Sequence, residues 1–176
     1  MKMLLVLFAV CLSLTGFAAE LKIDFTAEKP WAFMRNHSNR VKFSHKEVKG
    51  KKATIVSLNH DVSGTDTAFS LGTPLFPVKG KKTITVKFTF CTAAGMKDFT
   101  GGGFWSTGVR WCDNSKKEVA TFTRIPLPPA TGKFQTVTQE IDVPENALNA
   151  CVHFGFDTPN ITKNILFVIT DVVITY

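Results

Sequence analysis

An all-β fold is what this chain predicts, on three observations. No segment holds a helical period for long. Short runs that alternate apolar and polar residues recur between Gly, Pro, Asn and Asp turns, the pattern of strands with one buried face. Sixteen phenylalanines against a single tyrosine, Tyr176, assign most rings to packing rather than to polar contacts.

The predicted strands follow in order. Leu21 to Phe25 opens the domain, and Trp31 in "KPWAF" is a core ring of these first strands. Ala53 to Leu58 and Thr67 to Leu71 come next. In Thr83 to Cys91, the residues Ile84, Val86, Phe88 and Phe90 fall at strict alternation and mark a core strand. Gly108 to Asp113 sets Val109 and Trp111 on one side, Arg110 and Cys112 on the other. After Glu118 to Thr123 and Phe134 to Val143, the run Ala150 to Phe156 repeats that division. Val152, Phe154 and Phe156 share one side; Cys151, His153 and Gly155 share the other. Leu166 to Tyr176 is last. The repeated "VKGKK", at Val48 to Lys52 and Val78 to Lys82, reads as two glycine turns with solvated lysines.

The first eighteen residues read as a secretory signal peptide: a lysine, an apolar run from Met3 to Leu12, then small residues, with Gly16 and Ala18 satisfying a cleavage site after Ala18. Residues 19–176 then form one domain, secreted to the extracellular space or a periplasm, with no membrane association after cleavage. The net charge of +7 rests on 17 lysines against four arginines, the signature of solubility, and no nucleic-acid reading motif is present. An acidic polysaccharide stays open as a partner. Three cysteines survive cleavage, Cys91, Cys112 and Cys151, an odd count that implies one disulfide and one remaining thiol in an oxidising compartment.

Four stretches, "FPVKGKKTITVKFTF", "GVRWCDNSKKEV", "TGKFQTVTQEIDVPENALNACVHFGFD" and "ILFVITDVVITY", resemble in order and spacing the carbohydrate-binding modules of families four, nine and twenty-two, the galactose-binding-like jelly rolls. The resemblance covers roughly residues 53–176. It implies a two-sheet antiparallel β-sandwich with jelly-roll topology and a sugar site on the concave sheet or its edge loops. It also implies that the Gly108 and Ala150 strands are antiparallel neighbours, with the Thr83 strand in the other sheet. In the register where Cys112 opposes Cys151 as a disulfide, Arg110 opposes His153 on a solvated outer face and Trp111 meets Val152 beneath. Phe134 stands where the family has a core tryptophan. Where the family presents aromatic rings from its concave strands, this chain offers Arg110, Cys112, Cys151 and His153.

Several constellations carry expectations of chemistry. The glycine-rich "DFTGGGFWSTG" offers Trp105 and Phe104 as a stacking platform for a sugar ring. Arg110 and His153 are placed to hold a sugar carboxylate or hydroxyl pair, and Asp66 to accept sugar hydroxyls. The structural alternative for Arg110 is pairing with Asp66, Asp113 or Asp157. Asp24 and Asp171 match acidic positions that hold a structural calcium in related jelly rolls, although Thr170 stands where a second aspartate is common. A zinc site of three cysteines and His153 is excluded by export and by Cys91 lying in the other sheet. Six glutamates and eight aspartates are scattered without the paired spacing of a glycosidase, and the lone tyrosine ends the chain. The expected function is thus non-catalytic binding of a poly- or oligosaccharide, with an extracellular or envelope protein–protein interaction module as the alternative.

Overall fold

A computed structural model describes residues 18–36, 40–59, 61, 69–92, 107–156 and 165–176. Twelve strands are formed there: β1 (Glu20–Lys22), β2 (Phe33–Asn36), β3 (Val41–Val48), β4 (Lys51–Leu58), β5 (Phe69–Gly72), β6 (Phe76–Pro77), β7 (Thr83–Thr92), β8 (Gly108–Cys112), β9 (Thr123–Arg124), β10 (Gln135–Asp142), β11 (Asn149–Phe156) and β12 (Ile165–Thr175). They build two antiparallel sheets packed as a sandwich. The first runs β10-β7-β12-β4-β3, with β1 also on β12; the second runs β2-β5-β11-β8-β9, with β6 also on β11.

Alternation explains the core. In β7, Ile84, Val86, Phe88 and Phe90 are buried to 1% exposure or less, while the residues between them face outward. A chain of rings crosses between the sheets. Trp31 meets Phe154 edge-on at 5.6 Å, Phe154 meets Phe88 at 5.0 Å, and Phe88, Phe90, Phe167 and Phe69 continue it at 5.5 to 6.0 Å. The Trp31 indole N–H, which cannot be left unpaired in this interior, donates to the buried Thr54 hydroxyl at 2.8 Å.

The predicted sheet partition holds: β8 and β11 are neighbours in the second sheet, and Cys91 sits on β7 in the first. Three expectations are corrected. β2 and β3 are additional strands; β3 carries Lys42, Lys46 and Glu47 and buries a single residue, Val41, so its apolar alternation is weak. The Glu118 to Thr123 run forms only an isolated bridge, Cys112 to Glu118, before the two-residue β9. Phe134 lies with Ala53, Ile55 and Val168 in a separate small cluster, under the Lys49 ammonium at 5.3 Å from its ring.

The two "VKGKK" turns differ. Lys49 and Gly50 join β3 to β4 with φ of 50° and 75°, a two-residue turn left-handed at both positions, which matches the twist of the flanking strands. In the second turn only Gly80 is left-handed, with φ 74°, and the Lys81 N–H donates to the Val78 carbonyl at 3.0 Å.

Candidate functional site

The predicted β8–β11 register is corrected by two residues. Cys151 opposes Arg110, Asn149 opposes Cys112, Ala150 opposes Trp111 and His153 opposes Gly108. Every residue keeps its predicted face, because a slip of two preserves the pleat. Packing selects the observed register: the indole of Trp111 faces the small Ala150, and the imidazole of His153 lies between Gly108 on one side and Gly72 on the other. The Asn149 amide ties the strand end to the Asp113 carbonyl at 3.3 Å and to Asn114 Oδ1 at 3.2 Å.

That register removes the expected disulfide. Cys112 and Cys151 are both free thiols. They are diagonal neighbours, whose Cα atoms lie roughly 7–8 Å apart in a sheet, beyond the ~4.4–6.8 Å that a disulfide bridges. Burial, reinforced by neighbouring Cys112, pushes the Cys151 thiol up to about 11, and burial raises that of Cys112 as well. Both stay protonated at neutral pH and are poor nucleophiles and metal ligands.

The expectation of a solvated outer face is corrected too. Cys112, Cys151 and His153 are 2%, 7% and 8% exposed. Rings cover the histidine. Across the second sheet, Phe33 of β2, Gly72 of β5, His153 of β11, Gly108 of β8 and Arg124 of β9 form one row on the outer face. The Phe33 ring lies over Gly72 and the Phe122 ring over Gly108, each where a Cβ would stand. Phe33 is tilted against the imidazole with centroids 5.8 Å apart, and Phe122 meets it edge-on at 6.2 Å. Both phenylalanines remain partly exposed. The exposed Arg35 guanidinium sits 5.3 Å from the Phe33 centroid.

Arg110 points from this face and pairs with Glu118, Nε to Oε2 at 3.3 Å; Asp66 and Asp157, two of its expected partners, lie outside the described residues. Asp113 instead organises the β8 turn, its Oδ1 accepting the Ser115 and Lys117 N–H groups at 2.8 and 2.9 Å. Trp105, Phe104 and Asp66 lie outside the described residues. Phe33 and Phe122 are the residues that sequence reasoning missed. The signal was present in the glycines, since outward glycine in a strand marks close approach of another group.

Asp24 and Asp171 are brought together at a shallow depression beside the first sheet, where β12 changes partner from β4 to β1 around an irregularity at Thr170. Lys22, Lys51 and Lys52 line the same depression. Burial raises the Asp171 carboxyl, but the Lys51 ammonium at 2.9 Å and the Thr170 hydroxyl at 3.2 Å outweigh it and hold the group below the usual carboxylate range. The Asp24 carboxylate is likewise held low by the hydroxyl and N–H of Thr26, at 2.6 and 2.8 Å. One carboxylate is thus neutralised by the Lys51 ammonium, and two further ammonium groups, of Lys22 and Lys52, line the rest. This donor set does not fit a calcium ion, which needs six to eight oxygen ligands.

No family model and no curated protein matches the chain. Solved structures do. The chain is similar to the CBM22-1 xylan-binding domain from Paenibacillus barcinonensis Xyn10C, with a TM-score of 0.50 at 8% sequence identity, over 88% of this chain and 92% of that one. It is similar to the enzymatically active domain of tailspike protein 4 from bacteriophage CBA120, with a TM-score of 0.51 at 13% identity, over 81% of this chain but only 19% of that one. The C-terminal CBM6 of LamC from Zobellia galactanivorans aligns over 90% of this chain and all of that module, with a TM-score of 0.45 at 11% identity. At these identities the likeness is one of architecture: the chain has the jelly-roll sandwich found in carbohydrate-binding modules.

Proposed function

We propose that this protein is a secreted, non-catalytic module that binds a poly- or oligosaccharide on the outer face of its second sheet. The observation that carries the reading is the pair of partly exposed rings, Phe33 and Phe122, laid over Gly72 and Gly108 on either side of His153. A pyranose presents an apolar face to a ring and hydroxyls to flanking polar groups, which this row supplies. The sequence resemblance to families four, nine and twenty-two and the shared architecture support it. Export after Ala18 belongs to the same reading.

The strands of the second sheet contain no Asp or Glu. A glycosidase needs two carboxylates flanking the scissile bond, and the strands of this sheet supply neither.

The test is a glycan array followed by titration of the full chain with the glycans that score. Saturable binding that weakens about twofold to tenfold in Phe33→Ala and in Phe122→Ala is expected, in line with roughly 0.5–1.5 kcal/mol for each ring contact. Silence across neutral and acidic glycans, alongside a co-purifying protein partner, would replace the reading with that of an interaction module.

A further inference from the structure

Charged residues are partitioned between the two sheets by type. The strands of the first sheet carry Lys22, Lys42, Lys46, Lys51, Lys52 and Lys87 and no arginine. Those of the second carry Arg35, Arg110 and Arg124, three of the chain's four arginines, and no lysine. Lysine outnumbers arginine 17 to four, so a surface chosen only for solubility would have drawn lysine to both sheets.

All three arginines lie on the outer face of the second sheet, the face of the Phe33–His153–Phe122 cluster. Arg124 ends the row that contains His153, opposite Gly108. Arg35 is opposite Ser70 and reaches over the Phe33 ring. Arg110 is opposite Cys151. Glu118, which pairs with Arg110, comes from outside the strands. With neighbouring strands about 4.8 Å apart, the Phe33-to-Arg124 row crosses four gaps, roughly 19 Å, long enough to span several sugar units. A guanidinium presents a planar fork of donors matched to a carboxylate or sulfate, and it stacks on aromatic faces in a way that an ammonium does not.

From this arrangement we infer that the ligand is an anionic glycan, a chain of pyranose units bearing carboxylate or sulfate groups. The rings take the sugar faces, and Arg35 and Arg124 take the anionic substituents. This rests on the glycan-binding reading of the same face and adds the charge of the substrate class.

The test titrates the full chain with polygalacturonate, a sulfated galactan and neutral xylan at low and at 0.5 M sodium chloride. Either anionic polymer should bind at least about tenfold more tightly than xylan at low salt, and the preference should shrink at high salt as the charges are screened. Which of the two binds identifies the anionic group. Arg35→Gln and Arg124→Gln should each lower affinity for that polymer about fivefold to tenfold and leave any xylan binding unchanged, with Arg124→Lys recovering only part. Glu118→Gln, which removes the negative charge beside Arg110, should tighten anionic binding severalfold. Equal affinity for xylan and both anionic polymers, still lost in Phe33→Ala, would overturn the inference and leave the glycan reading standing. Binding to none of the polymers would overturn both.

Discussion

His153 shows how single residues fix this face. An imidazole at 8% exposure on an outward strand position needs cover on both sides. Phe33 and Phe122 provide it because Gly72 and Gly108 leave room for their rings. The two glycines differ in what a side chain would strike. At Gly72 the atoms nearest the new methyl belong to the Phe33 ring, which can swing away; at Gly108 the nearest is the Thr123 carbonyl oxygen, which is held in the strand, followed by the Phe122 ring. Gly72→Ala is therefore expected to cost about 1–3 kcal/mol, the usual range for overpacking, and Gly108→Ala more. Urea unfolding of the two variants checks the order, and equal losses would show that the Thr123 strand yields as readily as the ring. Glycan affinity should fall in Gly72→Ala even where far-UV circular dichroism is unchanged, because the ring leaves its place.

Among the elements, alternation was legible wherever one face is apolar throughout, as in β7, β8 and β11, and this placed the core rings, while the division of these strands between two sheets came from the family resemblance. β3 was not legible, since Lys42, Lys46 and Glu47 dilute its alternation. The β8–β11 register escaped for a different reason. Slipping by two exchanges neighbours without moving any residue to the other face, so hydrophobic pattern carries no information about it. Phe33 and Phe122 were hidden among sixteen phenylalanines. The repeated "VKGKK" predicted turns correctly, but the turn geometries diverge in the structure, and that difference can be measured. With both Lys49 and Gly50 left-handed, a non-glycine residue is strained at either position. Gly50→Ala should cost roughly 1–2 kcal/mol. Lys49→Gly or Lys49→Asn should stabilise the β3–β4 hairpin by a few tenths to about 1 kcal/mol, because both residues tolerate this conformation. A thermal-melt series reads both signs, and a fall in stability for Lys49→Asn would contradict the turn assignment.

At the scale of the molecule, one aromatic core joins a plain sheet to a specialised one. Thr136, Thr138, Glu140 and Asp142 on the outward side of β10 are solvated, whereas the outer face of the second sheet is layered with rings and arginines. Binding and stability should therefore separate by location. Phe88 belongs to the first sheet, is 1% exposed and meets Phe154 of the second at 5.0 Å. Truncating it opens a cavity between the layers, and Phe88→Ala should cost about 3–5 kcal/mol. Because Phe154 is next in sequence to His153 and is packed on Trp31, neither sheet can keep its core while the other loses it. The urea transition seen by tryptophan fluorescence and that seen by far-UV circular dichroism should shift together to the same lower midpoint, as one cooperative unit requires. Transitions that part company would mean that the sheets unfold separately. Below the transition, Phe88→Ala should bind glycan within about twofold of the parent chain, since Phe33, Phe122 and the arginines lie on the far side of the second sheet from the cavity. A loss comparable to that of Phe33→Ala would place the glycan contact on the core side of the fold instead of its outer face.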